Sequence, residues 1–500
     1  MLIRTYGAAL QGVDGIRVTV EVDAGRGLPA FQIVGRGDRV VSESRDRIRA
    51  AFRQSGLEFP PGRVTVNLAP TDVPKGGAGL DLAIAVAIAA TRTGIEAEAL
   101  EHTLFVGELG LDGGLRPVRG TLALVSSGAP DLTEGVVPRA NLSEASVCPH
   151  VQVRAADRLG EVIDFLRGDG ELDLASGDPP REEPGPEGDL ADIRGQEAAR
   201  RALEVAAAGG HNLLLSGPPG SGKTLLARRL PGLLPDLEFE AALEATRIHS
   251  VAGSLGPRSL LRRPPFQAPH HTISDAGLLG GGRPLRPGEI SLAHRGVLFL
   301  DELPEFRRSA LEALRQPLEE GAIRLVRAHA AMRLPASFQC VAALNPCPCG
   351  YLGDAARECV CDDGQIRRYR AKLSGPLVDR IDLRVPVPSV AWRMRLDSDA
   401  ARESTAAVRE RVEAARARQA RRYRGARFSL NAHLTPRALT EHCAVGSDGR
   451  RLLGLAVDRL GLSLRALDRV LRVARTIADL ERSDTLATPH LAEAISYRET

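Results

Sequence analysis

The sequence predicts an α/β protein built on a phosphate-binding core, with a helical C-terminal region and a second α/β domain in front. Three observations predict this. Leu213-Leu214-Leu215 runs into Ser216-Gly217-Pro218-Pro219-Gly220-Ser221-Gly222-Lys223-Thr224, and a helical stretch, Leu225 to Leu230, follows. A second apolar run, Val297-Leu298-Phe299-Leu300, ends in Asp301-Glu302. From Arg450 to Ile477, apolar residues recur at helical spacing (Leu452, Leu453, Leu455, Val457, Leu460, then Leu467, Val470, Leu471, Val473, Ile477).

Gly217 to Thr224 is the G-x-x-x-x-G-K-T phosphate loop in its required setting, between a buried strand and a helix. Its glycines let backbone amides close around phosphates, and the helix N-terminus adds partial positive charge there. Lys223 is expected to reach the β- and γ-phosphates of a nucleoside triphosphate, and the Thr224 hydroxyl to hold Mg²⁺. Only Lys75, Lys223 and Lys372 are lysines among 66 basic residues, so a chain that otherwise uses arginine keeps a compact ammonium here. An Asp at the end of a later strand helps hold Mg²⁺ and the next Glu polarises the attacking water, which assigns Asp301 and Glu302.

Five hundred residues suggest roughly three domains. At 43% hydrophobic and 3% aromatic, the cores are expected to be aliphatic. A net charge of +3 is too small to argue for nucleic acid alone. No secretory leader opens the chain, and the longest apolar run, Leu82 to Ala90, falls short of the ~20 residues of a membrane span. A cytoplasmic protein without a membrane partner is expected.

In order, 1–166 reads as the first α/β domain, with an alternating strand at Gly15 to Asp23, a strand at Val64 to Leu68, an Ala-rich buried helix at Leu80 to Thr91 and a hairpin turning at Asp112-Gly113-Gly114. Residues 167–191 read as an acidic, Pro-rich linker. The nucleotide-binding domain spans 192–395 and the helical domain 396–500.

Gly27-Leu28-Pro29-Ala30-Phe31-Gln32-Ile33-Val34-Gly35, Thr65-Val66-Asn67-Leu68-Ala69-Pro70 and Gly107-Glu108-Leu109-Gly110-Leu111-Asp112-Gly113 resemble the N-terminal domain of Mg-chelatase-like ATPases of the ComM/YifB type. That domain is similar in fold to the Lon protease domain. Lon-type proteolysis needs a Ser nucleophile and a Lys base. Here Lys75-Gly76-Gly77-Ala78-Gly79-Leu80-Asp81 stands at the first place and Arg119-Gly120-Thr121-Leu122 at the second, with no lysine between Lys75 and Lys223. A nucleophile without its base is weak at neutral pH, so a non-proteolytic domain is expected.

The resemblance continues through most of the chain. Asp192-Ile193-Arg194-Gly195-Gln196-Glu197 resembles the opening helix of AAA+ ATPases, whose backbone brackets adenine. Leu344-Asn345 stands where the family's polar sensor is expected. Ser374 to Asp382 resembles the segment with the arginine finger, implying Arg380. Leu462-Ser463-Leu464-Arg465-Ala466 resembles the second sensor of a helical lid, implying Arg465. Phe266-Gln267-Ala268-Pro269-His270-His271-Thr272-Ile273-Ser274, Gly280-Gly281-Gly282 and Pro287 to Gly296 resemble blocks of an insertion that projects toward a ring's central pore. Arg472 to Leu480 resembles the family's C-terminal domain. The resemblance implies a hexameric ring that hydrolyses ATP. ComM-type proteins are branch-migration helicases acting on recombination intermediates during natural transformation, so branched or single-stranded DNA is the implied partner. A magnesium-chelatase motor acting on a protein partner is the alternative, and a Lon-like protease a weaker one.

Cys347, Cys349, Cys359 and Cys361 form C-x-C-x₉-C-x-C, four thiolates suited to a closed structural Zn²⁺ site. His270 and His271 have no carboxylate or cysteine nearby in sequence, which favours substrate contact or structural hydrogen bonds over a metal. Nine arginines against three glutamates between Arg402 and Arg427 read as a nucleic-acid face or a solvated helix.

Overall fold

A computed structural model describes residues 2–35, 39–71, 78–128, 130–175, 188–282, 285–327, 330–389 and 402–498. Lys75, residues 176–187 of the linker and the boundary at 395/396 lie outside the described residues.

The alternating apolar pattern of the first domain folds as expected. Leu2–Gln11 and Asp14–Gly25 pair antiparallel from Leu2↔Asp23 to Gln11↔Asp14, burying Val18, Val20 and Val22. They sit inside an eight-stranded sheet ordered Asp173–Leu174, Gln152–Ala156, Glu134–Pro138, Thr103–Phe105, Leu2–Gln11, Asp14–Gly25, Arg63–Ala69, Ala30–Val34. The helix Asp81–Ala90 is buried along its whole length. Its one acid, Asp81, is compensated by Arg47 Nε at 2.7 Å, by the Ser44 hydroxyl and by the Leu109 amide at 3.3 Å. An uncompensated carboxylate in that core would be prohibitive.

Asp173–Leu174 differs from the composition-based reading. These residues fall in the acidic stretch, yet they add an antiparallel edge strand to Gln152–Ala156. Edge pairing uses backbone groups only, so both side chains stay exposed, and Asp173 ion-pairs with Arg139 at 2.5 Å.

The core of the second half is a five-stranded, all-parallel sheet in the order Phe266–Gln267, Val297–Leu300, Gln339–Leu344, Leu213–Ser216, Leu383–Pro386. Its strands are continuous apolar runs because helices cover both faces. The first strand in sequence lies between the fourth and fifth, so the chain changes direction beside it. Parallel α/β sheets bind ligands at such a point, beyond the carboxyl ends of the strands.

The helix Glu197–Gly209 is packed between this sheet and the C-terminal helices Thr405–Arg422, Ser447–Leu460, Leu464–Leu480 and Thr488–Ser496, forming one continuous core. Gly461, at φ 60°, turns the chain between the middle two. The arginine-rich helix is largely absorbed by this packing. Arg409 pairs with Asp236, Arg411 with Glu204 and Glu403, Arg418 with Asp484 and Arg422 with Asp479, while Arg416 caps the Ala207 carbonyl. Most of that charge run therefore serves the fold.

The two halves pack directly on each other. The helix Thr121–Ser126 lies against Phe239–Ala252, with Leu122, Leu124 and Val125 meeting Ala242 and Leu243. Glu144 accepts from the Leu122 amide at 2.8 Å and from the Ser250 hydroxyl. No helix among the described residues is long and apolar enough to cross a membrane.

Candidate nucleotide-binding site

The phosphate loop leaves the Leu213–Ser216 strand and enters the helix Lys223–Leu233. A Cβ on Gly217 would lie 2.0 Å from the Val387 carbonyl oxygen, so only glycine fits where the loop passes the neighbouring strand. Gly222, at φ 97°, supplies the left-handed turn before the helix. Lys223 is buried, and its Nζ donates to the Gly217 carbonyl at 2.7 Å, the Pro218 carbonyl at 2.8 Å and Asn345 Oδ1 at 3.2 Å. Burial pushes its ammonium below the ordinary lysine range, and the carboxylates of Asp301 and Glu302 push it back up.

Thr224 Oγ1 donates to Asp301 Oδ2 at 2.7 Å. A hydroxyl and a carboxylate in contact at the mouth of the loop are hard oxygen donors of the kind Mg²⁺ takes alongside phosphate oxygens. Glu302 follows with φ 52°, a left-handed conformation unusual for a non-glycine residue. The structure thus brings Lys223, Thr224, Asp301, Glu302 and Asn345 to the carboxyl ends of the strands.

The two arginines lie elsewhere. Arg380 follows the short helix Gly375–Val378. Its carbonyl accepts from Asn212 Nδ2 at 3.0 Å, and its guanidinium contacts Glu319 and the Pro376 carbonyl. Asn212 precedes the Leu213–Ser216 strand, so Arg380 is at the opposite end of that strand from the phosphate loop, about 13 Å away along four extended residues. Arg465 is exposed on the first turn of Leu464–Leu480. Arg469, one turn later, pairs at 2.5 Å with the buried Asp382, which precedes the Leu383–Pro386 strand. Burial raises the Asp382 carboxyl, but His211 and Arg469 overcome it and hold the group below the usual carboxylate range. Arg380 therefore lies at the end of the strands opposite the phosphate loop of its own chain, and Arg465 stands on an exposed helix turn.

The cysteines converge. Cys347 Sγ is 3.4 Å from Cys349 Sγ and 3.7 Å from Cys359 Sγ, Cys349 and Cys359 are 3.6 Å apart, and the Cys349 amide donates to Cys361 Sγ at 3.4 Å. All four sulfurs lie within 4.8 Å of one another. Zn–S bonds of ~2.3 Å in a tetrahedron place sulfurs about 3.8 Å apart, whereas a disulfide needs ~2.05 Å. The separations fit a four-thiolate metal centre. The Tyr351 and Val360 amides lower the Cys349 thiol to about 6, while desolvation and the neighbouring sulfurs raise Cys359 and push Cys361 up to about 12.

Comparison with known proteins agrees with this geometry. Residues 189–394 match the family described as magnesium chelatase, subunit ChlI, residues 20–141 match subunit ChlI of Mg-chelatase, and residues 402–498 match its C-terminal part. YifB of Escherichia coli is 43% identical over 98% of this chain and 96% of its own length. Competence protein ComM of Haemophilus influenzae is 42% identical over 99% of this chain and 96% of its own. The chain belongs to the Mg-chelatase-like AAA+ family of the YifB/ComM type. A magnesium-chelatase 67 kDa subunit of Chlorobaculum tepidum is 27% identical over 40% of this chain and 27% of its own length.

Within this YifB/ComM-type chain, Arg119 to Leu122, the place where a Lon-type base would stand, is an interdomain contact. Thr121 and Leu122 are buried, and the Gly120 amide donates to the Ser250 carbonyl at 3.3 Å.

Sequence reasoning missed three partners. His271 Nδ1 lies 3.2 Å from Glu302 Oε2, and its ring stacks on His270, which bonds Thr272 Oγ1 at 2.9 Å. Among the described residues the cysteines are the one group of three or more residues placed to hold a metal, and His270 and His271 contact Thr272 and Glu302. Gln196 Nε2 donates to the Ser221 carbonyl at 3.2 Å and the Pro388 carbonyl at 2.6 Å, steadying the phosphate loop. Burial pushes the Tyr369 phenol up to about 12, and the Asn345 backbone amide beside it works the other way. All three contacts join distant segments, so no local spacing signals them. A glutamate held by His271 is not free to orient water. His271→Ala is expected to raise ATP turnover measured without a partner by about two- to fivefold, the shift a partly exposed pair can hold. A fall in turnover would show that the pair positions Glu302 productively instead.

Proposed function

We propose that the chain is one subunit of a hexameric AAA+ ring that hydrolyses ATP with Mg²⁺ and uses the energy to remodel DNA, as a branch-migration helicase on recombination intermediates. The observation that carries the oligomeric part is the division of the site. Phosphate loop, acids and polar sensor lie at the carboxyl ends of the strands, and Arg380 lies at the opposite, amino ends. Two copies placed with these ends facing would assemble what one copy separates.

In such a ring Lys223 binds the β- and γ-phosphates, Thr224 and Asp301 hold Mg²⁺, Glu302 orients the attacking water and Asn345 senses the γ-phosphate. Bound ATP·Mg²⁺ supplies the phosphoryl group to be transferred. Arg380 from the adjoining copy stabilises charge on that group, with Arg465 assisting.

The DNA reading is supported by near full-length similarity to a relative whose name is competence protein. The chelatase alternative is supported by the family descriptions, but the Chlorobaculum subunit aligns with only part of this chain. We further propose that the thiolate centre binds structural Zn²⁺, that the domains divide at the acidic stretch and near residue 396, and that the protein works in the cytoplasm.

ATPase rates measured on single-stranded, duplex and four-way DNA, at low salt because phosphate contacts weaken steeply with salt, test the reading. Stimulation greatest with branched DNA is expected. Rates flat with every DNA would remove the helicase reading and leave a motor that acts on a protein.

A further inference from the structure

We infer that the four-cysteine centre clamps the phosphate loop, so that nucleotide binding depends on occupancy of a metal site that touches no nucleotide. This rests on the reading of the cysteines as a zinc site. Residues 347–361 form no helix or strand; local bonds of Asp354 to the Ala356 and Arg357 amides and of Arg357 to Tyr351 shape the middle of this excursion, and the convergence of the sulfurs joins its two ends.

Both stems of the excursion end on Asn345. The first stem is the Asn345-Pro346-Cys347 chain itself, with Cys347 fully buried. The second leaves Cys361 and enters the helix Asp363–Ala371, which Asp362 caps by accepting from the Gln365 amide at 2.8 Å. That helix returns the buried Tyr369 phenol to the neighbourhood of the Asn345 backbone amide. Asn345 in turn accepts from the ammonium of Lys223. The thiolate centre, the polar sensor and the phosphate-loop lysine are therefore consecutive links.

The tip of the excursion gives a second, independent contact. Gly350, at φ 87° between Cys349 and Tyr351, lies so close to the phosphate loop that a Cβ there would be 2.5 Å from Pro219 Cδ. Pro219 is a residue of the loop that must close around phosphates. On its outer side, Ser389 Oγ donates to Asp354 Oδ2 at 2.8 Å, tying the excursion to the segment that follows the last core strand. A tetrahedral thiolate centre holds this wall of the site rigid. Freed of its metal, an excursion of this length gains conformational freedom, and the pressure on Pro219 and Asn345 is lost.

The full-length chain would be assayed for zinc by elemental analysis, then for ATP affinity by calorimetry before and after zinc chelation, with Mg²⁺ restored in excess. ATP affinity is expected to fall about tenfold or more on depletion, since small misplacements at a positioned site are costly, and to return with Zn²⁺. Gly350→Ala should retain zinc yet weaken ATP binding by displacing Pro219, and Cys359→Ser should lose both. A chain purified without zinc would overturn the zinc reading. A chain that loses zinc on chelation but binds ATP as before would overturn the clamp alone. Should depletion unfold the protein, Gly350→Ala decides, and unchanged ATP affinity in that variant refutes the clamp.

Discussion

Arg380→Ala is expected to lower ATP turnover by about a thousandfold while leaving nucleotide affinity nearly unchanged, the signature of an arginine that meets the phosphoryl group only in the transition state. Its position explains both halves of that expectation. The backbone of Arg380 is held by Asn212, which the substitution does not touch, and its guanidinium lies at the strand ends remote from the phosphate loop of the same chain. The ion pair lost with Glu319 involves a carboxylate that is 60% exposed, so the folding cost should be within about 1 kcal/mol. A thermal melt separates this outcome from loss of structure. The decisive experiment combines two inactive variants. Arg380→Ala subunits retain Glu302, and Glu302→Gln subunits retain Arg380. An interface that takes its acid from the first and its arginine from the second is complete. Mixed rings should therefore regain part of the turnover that each variant lacks alone. If mixing restores nothing and Arg380→Ala alone slows turnover less than about threefold, the arginine has only a structural role.

The division that makes this experiment possible is not legible in the sequence. Gly217 to Thr224 and Asp301-Glu302 can be read because their chemistry requires particular residues at fixed local spacing, and the strands beneath them announce themselves as apolar runs. Asn345 and the two arginines are reached through family resemblance, which assigns candidate roles without positions. Whether they converge depends on strand order. With Leu213–Ser216 lying between Gln339–Leu344 and Leu383–Pro386, Asn345 leaves at the same end as the phosphate loop, while Arg380 precedes its strand and stays at the other. The arginine-rich helix shows the converse. Composition alone cannot tell a nucleic-acid face from a structural one, and the fold supplies Asp236, Glu204, Glu403, Asp484 and Asp479 as partners. The pairing of His271 with Glu302 and of Tyr369 with Asn345 likewise depends on segments that meet only after folding.

Lys223→Ala is expected to abolish measurable turnover and weaken ATP binding by about 10- to 100-fold, the range for loss of a hydrogen bond to a charged group in a buried setting. The side chain bridges the Gly217 and Pro218 carbonyls and Asn345 in this fold, and in the proposed site it would also bring positive charge to the triphosphate. Alanine removes both, so Lys223→Arg is the sharper test. Arginine keeps the charge but spreads it over a planar fork, with donors fixed in one plane, whereas the ammonium directs three donors to three oxygens around a compact centre. The loop has little room to shift, since a side chain at Gly350 would collide with Pro219 and one at Gly217 with the Val387 carbonyl. The larger group must therefore either displace the loop or point out of it. Lys223→Arg should accordingly bind ATP better than the alanine variant and still fail to turn it over. Turnover close to the parent level would mean that charge alone suffices here, and that the rarity of lysine elsewhere in the chain carries no chemical message about this position.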